Sequence, residues 1–181
     1  MTRTTPRLLT LFAGLGLAVP AVAGTVHPKG APYTYSLPAG FSEVTTTAPD
    51  VSSAGAGSFR SGIAPKSVAK TPGVRDIITI VTYKLKVNAD RFAPAALEAE
   101  AAGVVAKLGP ATVSKRRVQV AGRTAFAFVV RNTTPATKWD KARIIFVFKG
   151  KNEVFVNCQW DTHAREIQTG CANVLRTLKV A

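Results

Sequence analysis

The chain reads as an α+β protein in which antiparallel strands outnumber two amphipathic helices, and three observations say so. Several runs of β-branched and aromatic residues alternate at period two and meet at short turns containing Gly or Asn. Two later stretches change to period 3.6, with apolar residues at i, i+4, i+7, i+8 and i+11. The only two cysteines, Cys158 and Cys171, fall on the last strand and the last helix, where they can tie one to the other.

The N-terminus is read as a targeting segment. Arg3 and Arg7 give a basic start, Leu8 to Val19 is apolar but too short to anchor in a bilayer, and Ala21-Val22-Ala23 is a small-x-small cleavage site. Cleavage is expected after Ala23. No cysteine follows it to carry a lipid, and the two arginines are not adjacent, so ordinary export of an unfolded chain to the periplasm or the exterior is expected. Residues 24–181 suffice for one domain, and no later stretch is long and apolar enough to span a membrane as a helix.

Residues 24–31 are Pro/Gly-punctuated and polar, and are expected as a flexible leader. Tyr33 to Leu37 alternates as a strand, stops at Pro38-Ala39-Gly40, and Phe41 to Thr47 can return as a second. The segment 48–74 is rich in Ser, Ala, Gly and Pro and is expected as a long loop carrying Arg60, Lys66 and Lys70, with room for a short edge strand at Ser58 to Arg60. Arg75 to Lys86 carries apolar residues on both faces, as a covered central strand does. Leu97, Ala101, Val104, Val105 and Leu108 form a helical stripe, with Pro94 suited to the first turn and Gly109 to the C-terminal cap. Val113–Val120 and Arg123–Arg131 then make a hairpin about Ala121-Gly122. Lys115, Arg116 and Arg117 interrupt the apolar alternation, either as charges guarding a sheet edge or, with Arg123 and Arg131, as an anion-binding patch.

Trp139 lies in the polar loop Asn132 to Lys141, where it either packs against the sheet or offers a platform for a ligand. Asn132-Thr133-Thr134 also matches a glycosylation pattern. Arg143–Phe148 and Glu153–Trp160 pair as a hairpin about Gly150 and Asn152. Ile167, Cys171, Val174, Leu175 and Leu178 then line one face of a closing helix, started by Asp161 or Thr162. If that helix packs on the strand face holding Val154, Val156 and Cys158, the two sulfurs meet; the alternative is two separate buried thiols. Gly170 costs a helix about 1 kcal/mol against Ala, which close approach to the sheet would justify.

With 24 basic and 10 acidic side chains the chain carries a net charge of +14, of which +12 remains without residues 1–23. Such a balance suits an anionic envelope component or an acidic protein partner, to be met by Arg60, Lys66 and Lys70 together with Lys115, Arg116, Arg117, Arg123 and Arg131, and nucleic acid is not the expected partner of an exported chain. A basic surface serving solubility alone is the plain alternative. Catalytic chemistry is poorly supplied. His27 and His163 are the only imidazoles, both cysteines are assigned to a bridge, and no metal-binding, nucleophile-elbow or phosphate-cradling motif is present, so no metal or cofactor is expected. Asp161 and His163 are the remaining pair for a secreted hydrolase, set against a helix-capping role for Asp161.

The opening Tyr35-Ser36-Leu37-Pro38-Ala39-Gly40-Phe41, the closing Phe146-Val147-Phe148-Lys149-Gly150-Lys151-Asn152-Glu153-Val154-Phe155-Val156 and the terminal Val174-Leu175-Arg176-Thr177-Leu178-Lys179-Val180 together resemble the PsbP-like family. Phe41 stands where that family usually has Trp. The resemblance spans most of residues 33 to 180 and implies a central antiparallel sheet sandwiched between helices, a fold shared with a small nuclear-import factor that binds the GTPase Ran. It also implies a non-enzymatic binding or assembly role, and it carries over no functional residue. The expected function is therefore an exported binding or assembly-accessory module of the cell envelope, with a secreted hydrolase or a purely structural envelope protein as alternatives.

Overall fold

A computed structural model describes residues 23–45, 59–134 and 139–181. Residues 1–22 of the expected signal peptide, the end of the expected strand Phe41 to Thr47 and the first part of the 48–74 segment lie outside the described residues. A seven-stranded antiparallel sheet is built from β3 (Phe41–Val44), β4 (Phe59–Pro65), β5 (Ile77–Lys84), β6 (Ala111–Val120), β7 (Arg123–Arg131), β8 (Lys141–Lys149) and β9 (Asn152–Trp160), in the order β3-β4-β5-β9-β8-β7-β6. Helix α1 (Pro94–Leu108) covers one face. Helix α2 (Ala164–Thr177) covers the other, together with a small sheet of β1 (Ala23–Val26), β2 (Tyr33–Leu37) and β10 (Lys179–Val180). The expected α+β sandwich is thus the observed architecture.

Alternation decides which residue fills which layer. Ile78 and Ile80 of β5 pack under α2 with Ile145, Val147, Val154 and Val156, whereas Val81 and Tyr83 pack under α1 with Phe126, Phe128, Phe146 and Phe155. Strand β5 is buried on both faces, as its continuous apolar run requires. Strand β6 is the sheet edge, and Ala111 to Arg117 are all exposed along it. Lys115, Arg116 and Arg117 thus place charge along an exposed sheet edge. The β6–β7 turn holds Ala121 and Gly122 both at positive φ, 53° and 72°, the twist that joins tightly paired strands.

Cys158 and Cys171 form a disulfide, with 6.0 Å between their Cα atoms, linking β9 to the buried face of α2. Closing so short a segment restricts the unfolded chain by about 3 kcal/mol. Gly170 is required by contact: a Cβ at that position would overlap the ring of Phe41 in β3. Phe41 thereby acts as the aromatic plug of the opening motif, and only glycine lets the helix descend onto it.

Four expectations change. The segment 48–74 is not wholly a loop, because Phe59–Pro65 forms a full strand between β3 and β5. Its small residues concealed it, and they leave room for Tyr33, whose hydroxyl meets Ser61 Oγ at 3.0 Å and donates to the Ile80 carbonyl at 3.2 Å. Strands β2 and β3 do not pair with each other. The turn closed by Phe41 N–H on the Pro38 carbonyl, with Gly40 at φ 80°, drops the chain from the covering layer into the main sheet. Part of the stretch read as a flexible leader is strand β1, paired antiparallel with β2. Helix α2 begins at Ala164, and neither Asp161 nor Thr162 caps it.

Candidate functional site

The eight basic residues singled out from the sequence do not form one patch. Arg60, Lys66 and Lys70 belong to β4 and the segment after it, whereas the others lie on β6 and β7 toward the opposite edge, four to five strand positions or roughly 19–24 Å away. Within β6 the pleat divides them further. Lys115 and Arg117 oppose Phe128 and Phe126 on the α1 face, and Arg117 is paired there with Glu98 of α1 at 2.7 Å. Arg123 is engaged by Asp90 and by the Phe148 carbonyl. Arg116 opposes Ala127 and Arg131 lies two residues beyond Val129, so both belong to the α2 face.

On that face they are joined by two residues that the sequence reading passed over. Lys141 is the register partner of Arg131, and Arg143 is the register partner of Val129 on one side and Cys158 on the other. Both share parity with Ile145 and Val147, whose burial under the α2 layer fixes the direction. Burial lowers the pKa of the half-buried Arg143 guanidinium, and repulsion from Arg116 adds to the shift. Among the described residues, Arg116, Arg131 and Arg143 have no carboxylate or hydrogen-bond partner; Lys141 approaches Asp140 at 3.5 Å in an exposed pair of little worth. Directly opposed like charges destabilise a sheet, and Arg131 and Lys141 are so opposed.

The imidazole of His163 is held by a different acid from the one expected. Asp76, ahead of β5 and 5% exposed, accepts from the amides of Asp161 and His163, both at 2.9 Å, and from Thr162 Oγ1 at 3.2 Å. Its second oxygen also lies 3.1 Å from His163 Nδ1. Asp161 turns instead toward Arg75 at 3.7 Å. Burial pushes the Asp76 carboxyl up, but these hydrogen bonds outweigh it and hold the group below its ordinary range. Asp76 thus caps the approach to α2 from another element. Sequence spacing gave no sign of this, since 85 residues separate it from the amide it receives.

Trp139 takes the packing role considered for it. Its half-buried ring packs against the α1-side core and also walls a cavity of about 250 Å³ between the C-terminal end of α1 and the sheet. Asn132, in the glycosylation pattern, spends its amide nitrogen on the Thr134 and Trp139 carbonyls at 2.9 and 3.0 Å, which fixes the rim. The floor includes Thr79 and Asn157, direct cross-strand partners at the middle of the sheet. No described helix is long and apolar enough to cross a membrane.

Comparison with known proteins agrees with this architecture at the level of fold. No family model matches the chain, and no curated protein matches its sequence. Among solved structures, cyanobacterial PsbP (CyanoP) from Synechocystis sp. PCC 6803 superposes with a TM-score of 0.55 over 96% of this chain and 99% of its own, at 11% identity. The Ran-binding protein Mog1p of Saccharomyces cerevisiae matches 90% of this chain and 96% of its own at 12% identity, with a TM-score of 0.47. The chain therefore has the PsbP-like fold over most of its length, and identities this low speak to fold alone.

Proposed function

We propose that this chain is an exported binding or assembly-accessory module of the cell envelope, non-enzymatic, that docks a polyanion on the α2-side face of β6, β7 and β8. The observation that carries this reading is the ladder of Arg116, Arg131, Lys141 and Arg143, with Asp140 the one carboxylate paired to it among the described residues. A protein that needed only solubility would scatter its charges with both signs interspersed. Here like charges are concentrated on one face at a cost to the sheet. A disulfide between the only two cysteines and the basic N-terminal segment followed by an apolar run support export. The PsbP-like fold is consistent with a binding role.

The partner in this reading carries repeated phosphate or carboxylate groups, since arginine forks recognise both with paired hydrogen bonds. The test is titration of the oxidised protein with poly(glycerol phosphate) and with poly-L-glutamate at rising salt. Binding is expected to weaken roughly tenfold or more between about 0.05 and 0.3 M salt. The double variant Arg116→Gln/Arg143→Gln should lose most of it, while Lys66→Gln/Lys70→Gln should not. Binding indifferent to salt, or equal loss in both variants, overturns the assignment. Preference for one polymer distinguishes an envelope polyanion from an acidic protein.

A further inference from the structure

The cavity behind Trp139 lies on the α1 side of the sheet, away from the cationic ladder, and its chemistry differs. Its walls are apolar, formed by Val81, Leu108, Ile144 and Phe155 with the Trp139 ring, and no charged side chain lines it among the described residues. Its floor is polar at Asn157, Thr79 and Gln159, which lie beside the apolar Val81, Phe155 and Ile144. The Oδ1 atom of Asn157 is buried and has no hydrogen-bond partner. A sheet packed for stability alone would place an apolar residue there, because a buried acceptor left unmatched costs about 1–3 kcal/mol. The end of α1 also closes over this space, with Gly109 in the left-handed conformation and its carbonyl receiving Thr133 Oγ1 at 3.2 Å. A helix C-terminus favours positive charge or a donor over an anion.

We infer that this cavity is a binding site for a small, ring-sized molecule that forms one hydrogen bond with the Asn157 side-chain amide. Size sets the scale: a cavity of about 150 Å³ holds benzene, so about 250 Å³ suits one or two fused rings. The absence of charge among the described lining residues disfavours ionised ligands, which would enter without compensation from them. The rim is set in advance by the Asn132 bonds to Thr134 and Trp139, so little ordering is lost on binding.

Indole and benzothiophene, nearly equal in shape but with and without an N–H, provide the probe pair. In an NMR titration of the oxidised protein, indole is expected to shift the Thr79, Thr133 and Asn157 signals saturably. The ratio of indole to benzothiophene affinity should fall about tenfold on Asn157→Leu, the worth of one hydrogen bond to a buried acceptor. Using that ratio cancels the greater hydrophobicity of benzothiophene. A nuclear Overhauser contact between bound indole N–H and the Asn157 side-chain amide, sought in the unaltered protein, reads the same geometry should the variant fail to fold. Absence of saturable shifts at millimolar indole, a ratio unchanged in the variant, or shifts confined to the α2 face would overturn the site.

Discussion

Glu153 is a carboxylic acid held 6% exposed between its register partners Tyr83 and Phe148. Burial, with Glu100 adding repulsion, pushes its pKa up to about 7 from 4.5. Between those two values the unfolded chain releases a proton that the folded one keeps, so stability falls as pH rises from about 4.5 through 7, by an amount on the order of 3 kcal/mol. Glu153→Gln should abolish that slope and raise stability at pH 8 by about 2–3 kcal/mol, measured by urea unfolding across the range. Asp76 acts in the opposite sense. Its carboxyl is held below the ordinary range, so its contribution is present above the unfolded carboxylate value near 4 and lost as pH falls through the folded one. Asp76→Ala should cost about 2–3 kcal/mol at pH 7, with the mutant and parent curves converging in acid. Neither residue was legible in the sequence. Glu153 read as the polar phase of an alternating strand, and the partners of Asp76 come from 85 and more positions away.

At the scale of elements, most of what was legible came from period and punctuation. Both helices, the two C-terminal hairpins and the covered β5 follow from side-chain spacing together with Pro94, Gly109 and Gly150 at their ends. The bridge followed once Cys158 and Cys171 were placed on facing surfaces. What failed to show were elements specified by their neighbours. Strand β4 carries small residues at Ser61 and Gly62 where the Tyr33 hydroxyl reaches Ser61, and the turn into α2 is held by Asp76, which accepts from the Asp161 and His163 amides. Gly170 makes a decisive test of such neighbour effects. Helix propensity alone says that Gly170→Ala stabilises by about 1 kcal/mol. Overlap with the Phe41 ring is the larger effect, so the substitution should instead destabilise by about 1–3 kcal/mol. Recovery in Gly170→Ala combined with Phe41→Leu, read from urea midpoints, would trace the loss to that contact.

For the whole molecule, the sheet separates two chemistries. Cations gather on the α2 side of one edge, and an uncharged cavity lies on the α1 side behind Trp139. Net charge was visible in the composition, but its concentration was not, because the pleat sends Arg116 one way and Lys115 and Arg117 the other, and brings in Lys141 and Arg143 from a strand read as core. That division gives the central claim a direct test: amide chemical-shift mapping of the oxidised protein with poly(glycerol phosphate) at low salt. The expected result is a contiguous set of shifts at Arg116, Val129, Arg131, Lys141 and Arg143, reversed by added salt. Shifts centred on Arg60, Lys66 and Lys70, or spread over every exposed lysine and arginine alike, would contradict it.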